Sequence, residues 1–239
     1  MAVELVGLDA DDTLWHSEGH YEVTQERYSE LLAPWVDEDD ISAALLETER
    51  RNLKLFGYGA KGFTLSMIET AIALTGGEID GHRIEQIVTF GKEILTHPVE
   101  LLDDVADVLD ELARAHRLML MTKGDLFHQE SKIAASGLAD VFERVEIVAE
   151  KDEGTYARVL DSLRVAPLEF CMIGNSVRSD ISPVLELGGA GVHVPYRTTW
   201  EMEHAEVDEA HPRLRQITSI REAPEAVRIL GEPNGVSRP

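Results

Sequence analysis

The sequence predicts an α/β fold: a mostly parallel sheet covered by helices, interrupted after its first strand by an all-helical insert. Three observations carry this expectation. From Arg117 onward, short apolar runs of strand length alternate with helix-length stretches, the pattern of βαβ units. One further apolar run, Glu4–Leu8, stands alone at the N-terminus. Between them, residues 17–95 show helical periodicity and almost no strand-like alternation.

Each element follows in order. Glu4–Leu8 stops at Asp9, so it reads as a buried strand that presents acids at its C-terminal end. The apolar positions of Tyr21–Leu32, Ile41–Leu55, Leu65–Leu74 and Ile84–Leu95 recur at helical spacing. Pro34, the glycines at 57, 59 and 62 and the Gly76-Gly77 pair break them into four helices. Beyond His97-Pro98, helix Leu101–Ala113 feeds strand Arg117–Met121, and helix Asp125–Ser136 leads to strand Val145–Val148. Helix Gly154–Leu163 leads to strand Leu168–Ile173, and helix Asp180–Leu187 to strand Gly191–Val194. Strand-like Arg215–Ile220 then precedes a last helix, Ala223–Leu230. Right-handed crossovers follow from such units. The expected organisation is an α/β core of residues 1–16 and 96–239 carrying a helical cap domain of residues 17–95. The tail 231–239, rich in Gly, Pro and polar residues, is expected to fray.

Charge narrows the partners. The 239 residues carry 45 Asp and Glu against 22 Lys and Arg, a formal net charge of -23. Nucleic acid is disfavoured, because sequence-independent affinity for it comes from Lys and Arg neutralising phosphates. An anionic membrane surface is disfavoured for the same reason. No apolar run is long enough for a membrane span, and no basic segment precedes the first apolar stretch as in a secretory signal. Cys171 is the one cysteine, so no disulfide forms within the chain, and a cytoplasmic setting is expected. A small anion remains a possible ligand if positive charge is gathered locally. Nothing in the sequence speaks to the oligomeric state.

Four places at the C-terminal ends of strands carry chemistry, which is where open parallel sheets place their ligands. In Asp9-Ala10-Asp11-Asp12-Thr13, Asp9 and Asp11 can face one cavity. Clustered carboxylates repel unless a cation or a shared proton intervenes, and Mg²⁺ suits all-oxygen ligands. The plainer reading is a turn whose acids cap a helix. Thr122, followed by Lys123 and Gly124, can hold a phosphate oxygen or simply cap the next helix. Lys151 can neutralise a carboxylate and a phosphate together, or lie solvated as most lysines do. In Gly174-Asn175-Ser176-Val177-Arg178-Ser179-Asp180, glycine permits a tight strand exit, and Asn175 and Asp180 can flank a metal. A turn and a capped helix would look the same.

Taken together, the order and spacing of these motifs resemble the haloacid dehalogenase-like (HAD) hydrolase superfamily. Asp9-x-Asp11-x-Thr13, Thr122, Lys151 and Gly174-Asn175-x-x-x-x-Asp180 match its four motifs, and the helical insert matches the cap of its capped phosphatase branch. The resemblance implies a Rossmann-like core and a Mg²⁺-dependent phosphomonoester hydrolase acting on a small phosphorylated metabolite. It also implies the roles. Asp9 is the nucleophile, forming an aspartyl-phosphate, and Asp11 is the acid and then the base. Thr122 and Lys151 bind the phosphoryl group, and Lys123 joins them at the substrate. Asp9, Asp180, Asn175 and the Asp11 backbone carbonyl hold the Mg²⁺. Covalent catalysis of this kind divides one displacement into two.

One position departs from the family pattern. Asn175 stands where the family usually has Asp, which lowers the negative charge around the metal by one. An amide oxygen still serves as a ligand or holds a water. A haloacid dehalogenase is the nearest alternative, but that branch generally lacks the second Asp of the first motif, present here as Asp11. A non-catalytic phospho-ligand-binding or scaffold protein would tolerate loss of Asp9, Asp11 or Lys151, and all three are retained. In the cap, residues 50–61 hold four basic residues and no acid. Arg50 and Arg51 suit a helix C-terminus, whereas Lys54 and Tyr58 are candidates for contacting substrate. The acids between Glu201 and Glu209 read as solvated surface. Scattered histidines without HExxH spacing argue against zinc.

Overall fold

A computed structural model describes residues 2–232; the tail from 233 onward, part of the segment expected to fray, lies outside the described residues. By contact density the chain forms two compact units. The first comprises residues 1–18, 99–123 and 132–239, and the second residues 19–98 and 124–131.

The first unit is built on one sheet. Among the described residues, six strands pair in parallel: β1 (Leu5–Leu8), β2 (Arg117–Lys123), β3 (Arg144–Val148), β4 (Phe170–Gly174), β5 (Ala190–His193) and β6 (Leu214–Gln216). Their order is β3-β2-β1-β4-β5-β6. The chain works outward from β1 on one side and then on the other, so the order reverses between β1 and β4. Ligands of doubly wound sheets bind at such a reversal, beyond the strands' carboxyl ends. Leu8 pairs with Leu120 on one side and with Ile173 on the other, which brings Asp9 level with the end of β4 and two residues short of the end of β2. The α/β class read from the sequence is the observed one.

β1 is buried on both faces, which is why it reads as a continuous apolar run rather than an alternating one. Val6 and Leu8 face one core with Leu118, Leu120, Cys171 and Ile173, packed by helices α5 (Val105–Ala113) and α9 (Ala223–Gly231). Leu5 faces the other core with Met119, Phe170 and Met172, packed by α7 (Glu153–Leu163). Gly7 pairs with Met172 and lies under the Phe170 ring, and an added β-carbon would fall 2.7 Å from that ring. Truncating a buried leucine such as Leu8 to alanine is expected to cost about 2–5 kcal/mol.

Several element boundaries of this unit differ from expectation; strand β6, for one, ends at Gln216, and Ile220 lies in a 3-10 turn. The helix expected from Leu101 begins at Val105, because residues before it run extended: Leu102 N donates to Leu14 O at 2.9 Å, and Leu101 bridges Trp15. Strand β4 begins at Phe170, not Leu168, since Pro167–Glu169 forms a 3-10 turn. The helix expected over Asp180–Leu187 is split into a wide π-type turn, Val177–Ile181, and the short α8, Ser182–Glu186. Pro183 lacks an N–H and is tolerated only in a first turn, which sets where α8 starts.

The second unit contains α1 (Glu18–Leu32, apart from its first residue), α2 (Glu38–Phe56), α3 (Ala60–Leu74) and α4 (Gly81–Thr96). Their apolar stripes meet in a core of Tyr28, Leu32, Ile41, Leu45, Phe63, Met67, Ile87 and Ile94. Tyr28 Oη donates to the Met67 carbonyl at 2.8 Å, which satisfies the hydroxyl of a fully buried ring. Glu38, Asp39 and Asp40 occupy the first turn of α2, where acids complement the helix dipole. Helix α3 starts five residues before the expected Leu65 and takes in Lys61 and Gly62.

Candidate active site

The chain leaves β1 with Asp9 N still in the ladder, donating to Ile173 O at 2.9 Å, and then turns sharply. The N–H groups of Thr13, Leu14 and Trp15 all point at the Ala10 carbonyl, and Asp12 takes a left-handed conformation at φ 62°. Asp is among the residues that tolerate that region. The turn divides its three acids. The Asp12 carboxylate accepts from Ser17 N and Glu18 N at 2.9–3.1 Å, closing the entry to α1. Asp12 is thus the helix-capping acid of the plainer reading, and Asp9 and Asp11 are left for other partners.

Asp9 lies in a buried ionic cluster. Lys151 Nζ donates to Asp9 Oδ1 at 2.5 Å and to Asp180 Oδ1 at 2.7 Å, with the lysine side chain 1% exposed. Burial opposes the ammonium, but the carboxylates of Asp180 and Asp9 outweigh it and hold the Lys151 pKa above its usual value. Burial pushes the Asp9 carboxyl up, to about 7; Lys151 pulls it down, while Asp180 and Asp11 add to the rise. Asp180 is held in turn by Ser176 N, which donates to its Oδ2 at 3.0 Å. Lys151 is a buried ion-pair partner, not a solvated lysine.

Thr13 supplies the next link. Its hydroxyl lies 3.1 Å from Asp9 Oδ2 and 3.3 Å from Asn175 Oδ1. A hydroxyl has one proton to give, so the carboxylate and the amide oxygen compete for it. Two oxygens converging on one donor suit a hard cation, and Asp180 adds a second carboxylate. The donor set is all oxygen, as Mg²⁺ prefers. Among the described residues no three His, Cys, Asp or Glu side chains cluster for a metal. Here the third position near the two carboxylates is an amide, Asn175.

The sequence candidates separate into groups. Asp9, Thr13, Lys151, Asn175 and Asp180 are linked by hydrogen bonds within one cluster. Asp11 follows Asp9 by two residues but has its own partners, Lys132 and Trp15. Thr122 is buried at the end of β2, its hydroxyl 3.3 Å from the Lys123 carbonyl. Lys123 donates to Glu203 Oε1 at 2.6 Å and to Ser179 Oγ at 2.8 Å. Lys54, exposed in the last turn of α2, and Tyr58, half-buried beyond it, belong to the second unit.

Two residues escaped the sequence reading. Glu203 is not solvated surface: it is 14% exposed and accepts from Lys123, Ser176 and Ser179. Burial would raise its pKa, but Lys123 and the two serines bring it below the usual range. Its partners lie at least 24 residues away in sequence, so a run of acids gave no sign of them. Lys132, on helix α6 (Leu126–Ser136), pairs with Asp11 across 121 residues. A lone lysine on a helix carries no signal of such a partner.

The chain is similar to known hydrolases. A family model described as haloacid dehalogenase-like hydrolase matches residues 3–188. The chain is 31% identical over 126 residues to the mouse N-acylneuraminate-9-phosphatase, a match that covers 50% of this chain and 51% of that one. The chain thus matches about half the length of this curated relative. Among solved structures, a haloacid dehalogenase-like family hydrolase from Xanthomonas campestris is 47% identical with a TM-score of 0.88, covering 96% of this chain and 92% of that one. A 2-haloacid dehalogenase from Pseudomonas syringae shares the fold at 18% identity and a TM-score of 0.62, covering 95% and 98%.

Proposed function

The chain belongs to the haloacid dehalogenase-like hydrolases, and we propose that it is a phosphomonoester hydrolase acting through an aspartyl-phosphate on Asp9. One observation carries the reading most. Asp9 is anchored by Lys151 to Asp180, while a second carboxylate, Asp11, stands two residues away with partners of its own. Attack by a carboxylate on phosphorus needs the first arrangement, and an alkoxide leaving group needs the second. The name of the mouse relative, a phosphatase, supports the same branch.

The steps follow from these residues. An Asp9 oxygen attacks phosphorus, the bond from phosphorus to the leaving alcohol breaks, and Asp11 gives that oxygen its proton. Asp11 then takes a proton from water as the water attacks phosphorus, and the bond to Asp9 breaks. Lys151 keeps Asp9 in place and offsets negative charge, and Thr122 and Lys123 lie at the end of the neighbouring strand to meet phosphoryl oxygens. Asp9, Asp180, Asn175 and the Asp11 backbone carbonyl would hold a Mg²⁺ ion. Such an ion neutralises charge on the transferring phosphoryl oxygens. A halide leaves without a proton, so dehalogenation has less use for Asp11 as an acid.

The substrate class is a small phosphorylated metabolite such as a sugar phosphate, phosphoglycolate or a nucleoside monophosphate. Residues 17–95 are proposed as a cap, with Lys54 and Tyr58 contributing to substrate choice. A cytoplasmic setting belongs to the same reading; no helix among the described residues is long and apolar enough to cross a membrane. A phosphate-release screen over small phosphomonoesters, with and without Mg²⁺, tests the proposal. Mg²⁺-dependent release from at least one class is expected. Uniform inactivity, or halide release from haloacids instead, would overturn it.

A further inference from the structure

Both oxygens of the Asp11 carboxylate are engaged. Lys132 Nζ lies 2.6 Å from Oδ1 and 2.7 Å from Oδ2, and Trp15 Nε1 donates to Oδ1 at 2.6 Å. The lysine is the deeper partner, 13% exposed against 29% for the aspartate. Trp15 is fully buried in the core of its unit. A fixed indole on one oxygen and an ammonium across both define an orientation, whereas a lone surface ion pair does not.

We propose that Lys132 is a positioning residue for Asp11, holding its carboxyl group in one orientation through both halves of the reaction. The proposal rests on the phosphatase reading above. Lys132 does not touch the substrate and transfers no proton. In the first half, Asp11 gives its proton to the leaving oxygen as the phosphorus–oxygen bond breaks and a bond to Asp9 forms. In the second half, the carboxylate takes a proton from the attacking water as the Asp9–phosphorus bond breaks. Without Lys132 the carboxyl group loses the ammonium that spans both of its oxygens, and the Trp15 contact holds only Oδ1.

Leaving-group dependence tests this role, because an alcohol that departs readily as an anion needs little help from an acid. The readout is kcat/KM, which reports the steps through the first irreversible one, for an alkyl phosphate and for p-nitrophenyl phosphate. In Lys132→Met, kcat/KM for the alkyl phosphate is expected to fall about a hundredfold or more, the usual worth of general acid catalysis. For p-nitrophenyl phosphate it should fall by less than about tenfold, with KM for both nearly unchanged. Lys132→Arg, whose guanidinium can still span both oxygens, should recover most of the alkyl phosphate activity. The ratio of the two substrates within one preparation does not depend on how much of the variant is folded. Equal losses on both substrates, or no recovery in Lys132→Arg, would overturn the assignment of Lys132. If Asp11→Asn shows the leaving-group split and Lys132→Met does not, the Lys132 role alone falls. If the wild-type chain cleaves neither substrate nor any other phosphomonoester, the phosphatase reading falls with it.

Discussion

Gly174 and Asp180 are packed so closely that a β-carbon on the glycine would fall 2.3 Å from Asp180 Oδ2. The bare backbone at the exit of β4 is what lets the Asp180 carboxylate lie against the strand end and reach Lys151. Gly174→Ala is therefore expected to displace Asp180 and break its bond to Lys151. Overpacking at a buried site costs about 1–3 kcal/mol, a fall in Tm of roughly 2–4 °C per kcal/mol at this chain length. Thermal melting checks the stability change, and a Mg²⁺ titration of turnover should show a higher half-saturation. An unchanged half-saturation would separate Asp180 from the metal.

Asn175 offers the opposite manipulation. Its amide oxygen shares the Thr13 hydroxyl with Asp9, so Asn175→Asp adds a third carboxylate to a cluster containing Asp9, Asp180 and one lysine. Without metal the added repulsion should lower Tm. With Mg²⁺ the added ligand charge should lower the metal half-saturation several-fold, since ligand charge tunes affinity. Melting curves and Mg²⁺ titrations measure both, and a variant that moves neither would place residue 175 away from the cation.

Titration of Asp9 gives the metal-free protein a pH dependence of definite sign. Its carboxyl is pushed from an ordinary 3.8 to about 7, first by burial. Between those values the folded chain keeps a proton that the unfolded chain has lost, so stability falls as pH rises through the window. Lys151, held above its usual range, titrates above this window, and Glu203, held below its usual range, acts below it, while Asp12 and Glu49, pushed up by burial to about 8 and about 7, add falls of the same sign within it. The Tm of metal-free protein should drop by about several degrees between roughly pH 5 and pH 8. Asp9→Asn should make that drop smaller, leaving the part due to Asp12 and Glu49, and added Mg²⁺ should oppose the Asp9 part by binding the ionised form. A drop that persists unchanged in Asp9→Asn would remove Asp9 as its cause.

The sheet was legible because burial on both faces leaves an unmistakable mark on a strand. Leu5–Leu8 and Phe170–Ile173 are apolar without interruption, and Asp9 and Gly174 end them abruptly. Asp9, Lys151 and Asp180 were legible only as a set, through the resemblance of their order and spacing to the family's motifs; alone, Lys151 follows an edge strand, β3, that is buried only at Val148. Lys132 and Glu203 were not. Each is one charged residue among many in an acidic chain, and what distinguishes it is a partner brought close by tertiary packing. The wide turn at Val177–Ile181 was hidden as well, since Ser176 caps Ser179 N and Pro183 restarts the helix.

Glu203 makes a prediction from that unread set. It joins Lys123 to Ser176 and Ser179, the two serines lying between Asn175 and Asp180 in sequence. Glu203→Gln leaves the Lys123 ammonium with Glu150, 3.5 Å away, as a carboxylate partner. Removing the nearer partner of a largely buried pair is expected to cost less than the roughly 3–5 kcal/mol of an uncompensated buried charge, and the loop bearing Asn175 and Asp180 loses an anchor. Melting and Mg²⁺ titration should both shift toward weakness. A variant with wild-type Tm would show that Glu203 is dispensable to the loop.

The nucleophile is the centre of the account, and Asp9→Asn addresses it most directly. Asparagine keeps the size of the side chain and removes the attacking carboxylate. The measurement is phosphate release by this variant against the wild-type chain, on the best phosphomonoester and with Mg²⁺ present, in samples shown by circular dichroism to be folded. The expected result is a loss of at least about a thousandfold, the scale seen when a covalent nucleophile is removed. Turnover within about tenfold of wild type would contradict the assignment of Asp9.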